Sequence, residues 1–158
     1  MVFHEVFSTT IDPNAPSRVH EEAHTRPYKF AKIIDNGGPQ NKVDLLILPD
    51  GYTKAEMEKF HADAKHFAEV LVGTSPLKEH KQDFNVWIID VESNQSGIDI
   101  PGKDAWKDNA LGTMYDTFGS ARYVLTEENR TLRDIASAVP YDAITILVND
   151  TRYGGGGI

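Results

Sequence analysis

The chain has 158 residues, of which 40% are apolar and 25% are charged, and this composition is typical of one globular domain. It has no cysteine, which excludes disulfides, thiolate zinc ligands and a cysteine nucleophile. The net charge of −8 argues against nucleic acid as a partner, and no apolar run approaches the roughly 20 residues of a transmembrane segment.

The first 28 residues are polar and contain three prolines, so we predict an extended lead-in or linker over 1–28. Within it, HEEAH (20–24) matches the zinc-peptidase pattern H-E-x-x-H, in which Glu21 would be the general base. That pattern requires a long helix with an apolar face, whereas Pro27 follows closely here and the neighbouring side chains are polar. Residues 25–60 contain no histidine that could be a third ligand. We interpret HEEAH as a solvated polar segment.

Three strands and one helix are predicted in the first half of the chain. KFAKIID (29–35) could form a first strand, and the continuous apolar run VDLLILP (43–49) is typical of a strand buried on both faces. TKAE (53–56) spells a capping box, and the apolar positions after it, through Leu71, share one helical face. FNVWIIDV (84–91) is a second buried strand, and the order strand, helix, strand predicts parallel pairing.

The second half of the chain begins with a long polar segment over 92–112, which indicates a loop of the length that is often functional. A short helix near Thr113–Gly119 and a brief strand over 121–126 are predicted next. Thr126 is the predicted N-cap of a second helix. AITILVN (143–149) has the pattern of a third strongly buried strand, and the whole order predicts an α/β domain with parallel strands.

The remaining polar residues do not spell a complete catalytic set. His61 and His66 lie five positions apart on the first helix, so they do not share a face and are predicted to be surface residues. Ser93 and Ser96 lack the G-x-S-x-G context of a nucleophile, and we interpret them as loop hydrogen-bonding groups. Asp50 follows a parallel strand at the edge where α/β proteins bind ligands, but turn formation explains it equally well.

Four glycines, GGGG (154–157), stand near the end of the chain. They lack the lysine and the following helix of a phosphate-binding loop. Glycines in this number either let the backbone approach a ligand or a peptide strand closely, or form a flexible linker, and both interpretations remain open. Because a buried strand is usually followed by a covering helix, we expect the chain to stop inside a domain at Ile158.

From residue 42 onward the chain resembles the IgA-peptidase family of secreted bacterial zinc metallopeptidases. The matching stretches occur in the family's order and are KVDLLILPDGYT (42–53), EKFHADAKHFAE (58–69), SPLKEHKQDFNVWIIDVESNQSG (75–97) and YDAITILVNDTRYGGGG (141–157). The pairing of a DGYT turn with a distant LVN-x-x-x-YGGGG is fairly specific to that family.

The resemblance implies a zincin-like catalytic domain over 29–158, incomplete at its C-terminus, with a mixed, mostly parallel sheet flanked by helices. In the family, an HEFGH-like motif lies a short way beyond the YGGGG segment, which here means after Ile158. The resemblance therefore carries no catalytic residue and no metal ligand onto this chain. We expect zinc in the full-length parent, none in this chain, and no activity from this chain alone.

For the glycine segment, the resemblance implies that Tyr153, Gly154, Gly155, Gly156 and Gly157 lie near the rim strand that pairs with a bound peptide. It also implies hydrolysis of a peptide or protein substrate by zinc-activated water, and a secreted, periplasmic or cell-surface location.

The oligomeric state stays open, and so does one alternative function from another class. In that alternative, the chain is a non-catalytic α/β module that binds a polypeptide or a glycan through the 92–112 loop and the glycine edge. A nucleotide-dependent enzyme is disfavoured, because the sequence has no phosphate-binding fingerprint.

Overall fold

A computed structural model describes residues 28–155 together with Ser8. Most of the predicted lead-in over 1–28, including HEEAH (20–24), lies outside the described residues, as do Gly156, Gly157 and Ile158. The strands are β1 (Phe30–Ile34), β2 (Val43–Asp50), β3 (Phe84–Ile89), β4 (Thr113–Met114), β5 (Leu125–Thr126) and β6 (Ala143–Val148), and the α-helices are α1 (Met57–Gly73) and α2 (Asn129–Ala136).

Four of the strands form the main sheet, in the order β1-β3-β2-β6. Strand β2 pairs in parallel with both β3 and β6, whereas β1 is antiparallel to β3. Helix α1 connects the parallel neighbours β2 and β3, so the predicted βαβ unit is confirmed. The α/β fold with a mixed, mostly parallel sheet and flanking helices is therefore confirmed.

The core lies on both faces of the sheet because side chains alternate along each strand. On one face, Leu45 and Ile47 of β2 pack with α1, which contributes Phe60, Ala64 and Ala68. On the other face, the β2 residues Leu46 and Leu48 pack with buried residues of other elements, namely Ile89, Val91, Leu111, Ile135, Ala136 and Val139. Burial on both faces explains why β2 reads as a continuous apolar run.

Helix α1 begins as the sequence predicts. The Glu56 carboxylate accepts hydrogen bonds from the Thr53 backbone N–H at 2.9 Å and from the Thr53 hydroxyl at 2.8 Å. This capping box leads through one 3-10 turn, Lys54–Glu56, into the helix. The interaction satisfies a donor that the start of a helix otherwise leaves unpaired.

Two predictions between the long loop and α2 are partly wrong. In place of a helix over Thr113–Gly119, the chain forms β4 at Thr113–Met114 and then a 3-10 turn at Thr117–Gly119. Of the predicted strand over 121–126, only Leu125–Thr126 pairs, with β4 as its partner. Helix α2 begins at Asn129 with Glu128 as its N-cap, so the prediction of Thr126 as the N-cap is wrong. The Thr126 hydroxyl accepts the Glu128 N–H at 2.9 Å just before the helix instead.

Strand β6 is present as predicted, but its residues are exposed or only half-buried rather than fully buried. It forms one end of the sheet order, and within the described part of the chain no strand pairs with its outer edge. An open edge leaves backbone donors and acceptors available for another strand. Within that same part of the chain, no helix is both long enough and apolar enough to cross a membrane.

Candidate functional site

The segments that follow β2, β3 and β6 meet at one edge of the sheet, because the carboxyl ends of parallel strands lie on the same side. They are DGYT (50–53), residues 90–97 and residues 149–155. α/β proteins bind their ligands at this edge, and the long loop over 92–112 lies across it. This edge is the candidate functional site.

Asp50 is fully buried at this edge, and its carboxylate accepts several hydrogen bonds. Oδ1 accepts the backbone N–H of Gly51 at 3.1 Å and of Leu111 at 3.0 Å, and the Ser93 hydroxyl lies 3.3 Å away. Oδ2 accepts the backbone N–H of Thr113 at 2.9 Å and the Thr113 hydroxyl at 2.5 Å. Asp50 therefore joins the end of β2 to the end of the long loop and is more than a turn residue.

The predicted loop role of the two serines is confirmed. The Ser93 hydroxyl accepts the backbone N–H groups of Gly51 and Ala110, both at 3.0 Å, so it fixes the two ends of the loop. The Ser96 hydroxyl donates to Glu56 Oε1 at 2.8 Å. Both side chains are used in structural hydrogen bonds, which agrees with the absence of a nucleophile pattern.

Gly51 is required by a close approach between the DGYT turn and the loop. Its φ is 73°, and a Cβ at this position would lie 2.5 Å from the Gly97 carbonyl oxygen. The Gly51 carbonyl in turn accepts the Gly97 N–H at 2.9 Å. A side chain here would both strain the backbone and separate the turn from the loop.

Asn149 explains why the DGYT and LVN motifs occur together. Its backbone N–H donates to the Asp50 carbonyl at 3.0 Å, and its side-chain Nδ2 donates to the Gly51 carbonyl and to Glu56 Oε1, both at 3.0 Å. The Lys59 ammonium donates to Asn149 Oδ1, also at 3.0 Å. One amide therefore joins the end of β6 to the turn after β2 and to the start of α1.

The hydrogen bonds that Glu56 accepts lower its pKa. The Thr53 backbone N–H, followed by the Thr53 hydroxyl, lowers the pKa of Glu56 to about 2 against a partial desolvation that raises it, and Ser96 and Asn149 lower it further. Hydrogen bonds to the ionised form of a carboxyl favour that form. Glu56 is thus held as an anion and has no proton to donate at neutral pH.

The predicted substrate-binding segment is exposed at its described positions. Tyr153 is 82% exposed, and Gly154 and Gly155 are exposed as well. The Gly155 N–H donates to the Arg122 carbonyl at 3.0 Å. Within residues 28–155, the backbone N–H groups of Tyr153 and Gly154 have no hydrogen-bond acceptor. Gly156 and Gly157 lie outside the described residues, so their role stays a prediction.

Gly154 packs closely on neighbouring side chains. A Cβ at this position would lie 2.7 Å from Cε1 of Tyr115 and 2.7 Å from Cγ2 of Val124. A glycine is therefore needed here for the segment to lie against the 115–124 region.

Three residues beside this segment were not singled out by the sequence, and we call them the Arg152 cluster: Tyr115, Asp116 and Arg152. Arg152 Nη2 donates to Asp116 Oδ1 at 2.8 Å, and its Cζ lies 4.4 Å from the centre of the Tyr115 ring. The Tyr115 hydroxyl donates to the Arg152 carbonyl at 2.8 Å. No sequence pattern connects them, because 36 residues separate Asp116 from Arg152.

The described histidines lie at the surface and do not gather into a metal site. His61, His66 and His80 are exposed, which confirms the surface prediction for His61 and His66, and His61 Nε2 lies 2.7 Å from Asp90 Oδ1. Across residues 28–155, no group of three or more His, Asp or Glu side chains is arranged to hold a metal ion.

Comparison with known proteins identifies a family for this fold. The family model described as IgA Peptidase M64 matches residues 31–158, which is more than half of the chain. No curated protein matches the chain significantly.

Proposed function

Because this chain belongs to the IgA Peptidase M64 family, we propose that it is part of a zinc metallopeptidase that hydrolyses peptide bonds in protein substrates. The zinc-binding helix would follow residue 158 in the full-length parent. The family match supports a peptidase domain, and the family resemblance supports zinc-activated water as the nucleophile.

The described residues do not fit a zinc ion, since no three His, Asp or Glu side chains among them are placed to bind one. Zinc, when bound, would supply a Lewis acid and an activated water, and its ligands would come from outside residues 28–155. The role that we propose for this chain is to bind and orient the substrate along the open side of β6 and the 153–155 segment that follows it.

The observation that carries this role is the exposed edge formed by β6 and the segment after it. The outer edge of β6 is unpaired in the described part of the chain, and the N–H groups of Tyr153 and Gly154 have no acceptor there. An extended peptide can add to such an edge through main-chain hydrogen bonds. The glycines would let the substrate backbone approach closely.

Zinc content and peptide cleavage by the full-length protein test this proposal. We expect one bound zinc, cleavage of fluorescent casein, and loss of cleavage on chelation that zinc restores. The 158-residue chain alone should neither cleave casein nor bind zinc tightly. Stoichiometric zinc in this chain that is lost on changing His20 and His24 would overturn the proposal. Casein binding without cleavage by the full-length protein would favour the binding module.

Bulky substitutions test the role of the glycine edge. A Cβ at Gly155 would meet no atom within 4 Å, but the φ of 159° there strains any side chain. A Gly155→Leu change in this exposed segment should therefore cost some local stability, leave the domain folded and obstruct a peptide. We expect a higher KM for casein. Gly73→Leu, at the end of α1, is the control for added bulk, because a Cβ there also meets open space. Gly155→Ala carries the same backbone strain with little bulk and is the control for strain. Equal KM values for the Gly155 variant and wild type would contradict the role.

We also propose that the parent is exported to the periplasm or the cell surface, as the family resemblance implies. Fractionation of the producing cells would test this, and recovery of the protein in the cytoplasm alone would contradict it.

A further inference from the structure

We propose that Arg152 is a positioning residue for the substrate: together with Tyr115 and Asp116, it holds the exposed 153–155 segment in the conformation that pairs with a peptide. This inference rests on the proposed function and extends it, because it identifies which side chains prepare the peptide-binding edge. None of the three residues would touch the reacting atoms.

The cluster restrains Arg152 at both its side chain and its backbone. The guanidinium contacts both the Asp116 carboxylate and the face of the Tyr115 ring, while the Arg152 carbonyl accepts the Tyr115 hydroxyl. The Arg152 N–H donates to Asp150 Oδ1 at 2.8 Å. The residue immediately before the exposed segment is therefore fixed on both sides of its Cα atom.

The surroundings make these contacts stronger than ordinary surface contacts. Tyr115 is fully buried, and the side chains of Arg152 and Asp116 are 27% and 21% exposed. Partial burial reduces screening by solvent. The hydrogen bond from Arg152 lowers the pKa of Asp116, so the ion pair persists to lower pH than it would with an ordinary aspartate.

The exposed segment depends on these contacts because it has few hydrogen bonds of its own. Among the described residues, its single backbone hydrogen bond is the one from Gly155 to Arg122. A glycine-rich segment that is released from its support gains many conformations. Binding a peptide would then require ordering the segment first, which weakens binding without changing the chemical step.

Two conservative variants of the full-length, zinc-loaded protein test the inference. Tyr115→Phe keeps the ring under the guanidinium and removes only the hydroxyl that reaches the Arg152 carbonyl. Asp116→Asn removes the ion pair but keeps one oxygen for the Gly102 N–H, and asparagine tolerates the left-handed φ of 59° at this position. Asp35→Asn is the control, because the Asp35 side chain is 66% exposed and pairs with Lys32 at 2.9 Å.

The substrates are a long peptide found by cleaving casein with the wild type and a truncated form that retains little more than the scissile bond. For the long peptide, we expect KM to rise about fivefold in Tyr115→Phe and about tenfold in Asp116→Asn, with kcat within about twofold of wild type. The truncated peptide should show no difference, since it does not extend along the edge. The Asp35 variant should match wild type with both peptides.

The outcomes separate this inference from the function on which it rests. A wild type that cleaves no peptide refutes both. If the wild type cleaves and both variants keep its KM for the long peptide, the positioning role is wrong and the peptidase stands. Equal losses with long and truncated peptides would also overturn the inference, because they would show a general structural defect. Arg152→Lys should fall between wild type and Asp116→Asn, since lysine keeps the charge but loses the planar stacking.

Discussion

Replacing Asp50 with asparagine should release the long loop over 92–112 from the carboxyl ends of the strands. In the best orientation of the amide, its oxygen takes the place of Oδ1 and still accepts the N–H groups of Gly51 and Leu111. The amide NH2 then faces the Thr113 N–H, which loses its acceptor. The Thr113 hydroxyl can rotate and accept the amide, so the backbone N–H is the main group left unpaired.

The magnitude follows from the bonds that change. One buried N–H without an acceptor costs about 1–3 kcal/mol, and each bond that remains weakens by about 1 kcal/mol when the acceptor loses its charge. Relief of the cost of burying a charge offsets a part of this loss. We expect a net destabilisation of the loop of about 3 kcal/mol, which corresponds to a roughly 150-fold increase in its open population.

Hydrogen exchange measured by mass spectrometry on the full-length protein can detect this change segment by segment. Exchange should accelerate in peptides that cover residues 92–113 and remain unchanged in peptides from the middle of β2. Asp83→Asn is the control, since the Asp83 side chain is 60% exposed and its substitution should have little effect. Exchange in 92–113 within about twofold of wild type would refute the role assigned to Asp50.

The remaining predictions concern acid stability, close packing and backbone strain. The pKa of Glu56 is about 2 in the folded chain against an ordinary 4.5, so the unfolded state binds the proton first as pH falls. The stability that Glu56 contributes should be complete above about pH 4.5 and lost as the pH falls toward 2. Glu56→Gln should therefore make the urea midpoint less pH-dependent in that window. The same dependence of the midpoint on pH in the variant and the wild type would contradict this. Gly154→Ala should lower the urea midpoint by the equivalent of about 1–3 kcal/mol, because its Cβ would lie 2.7 Å from the Tyr115 ring, whereas Gly73→Ala should not. Phe118→Asn should raise the free energy of unfolding by about 1 kcal/mol, because Phe118 is 81% exposed and has a left-handed φ of 56° that asparagine tolerates better. A lower urea midpoint would show instead that the Phe118 ring makes a stabilising contact.

Local sequence was sufficient to predict the strands that are buried on both faces of the sheet and the start of the first helix. β2 and β3 were predictable because each contains an unbroken apolar run, over 45–49 and 86–89, and such runs favour burial on both faces. The start of α1 was predictable because a capping box is a contact between Thr53 and Glu56, only three residues apart.

Strand β4 and the burial of β6 were not predictable in the same way. Thr113 is extended rather than helical because its N–H and hydroxyl are held by Asp50, 63 residues earlier in the chain. The apolar residues of β6 indicated full burial, but the strand lies at the end of the sheet order. Position in a sheet depends on the pairing of distant segments, which local pattern does not contain.

The candidate site, too, was determined partly by the sequence and partly by the tertiary structure. The sequence alone determined the α/β class and the resemblance to the peptidase family, because both rest on patterns that are read along the chain. Tertiary structure alone decided that Asp50 accepts donors from a loop about 60 residues away and that Asn149 joins two motifs. It also decided that Arg152 meets Tyr115 and Asp116 beside the exposed edge. These contacts depend on distance in space between residues far apart in the chain, and only the folded sheet brings them together.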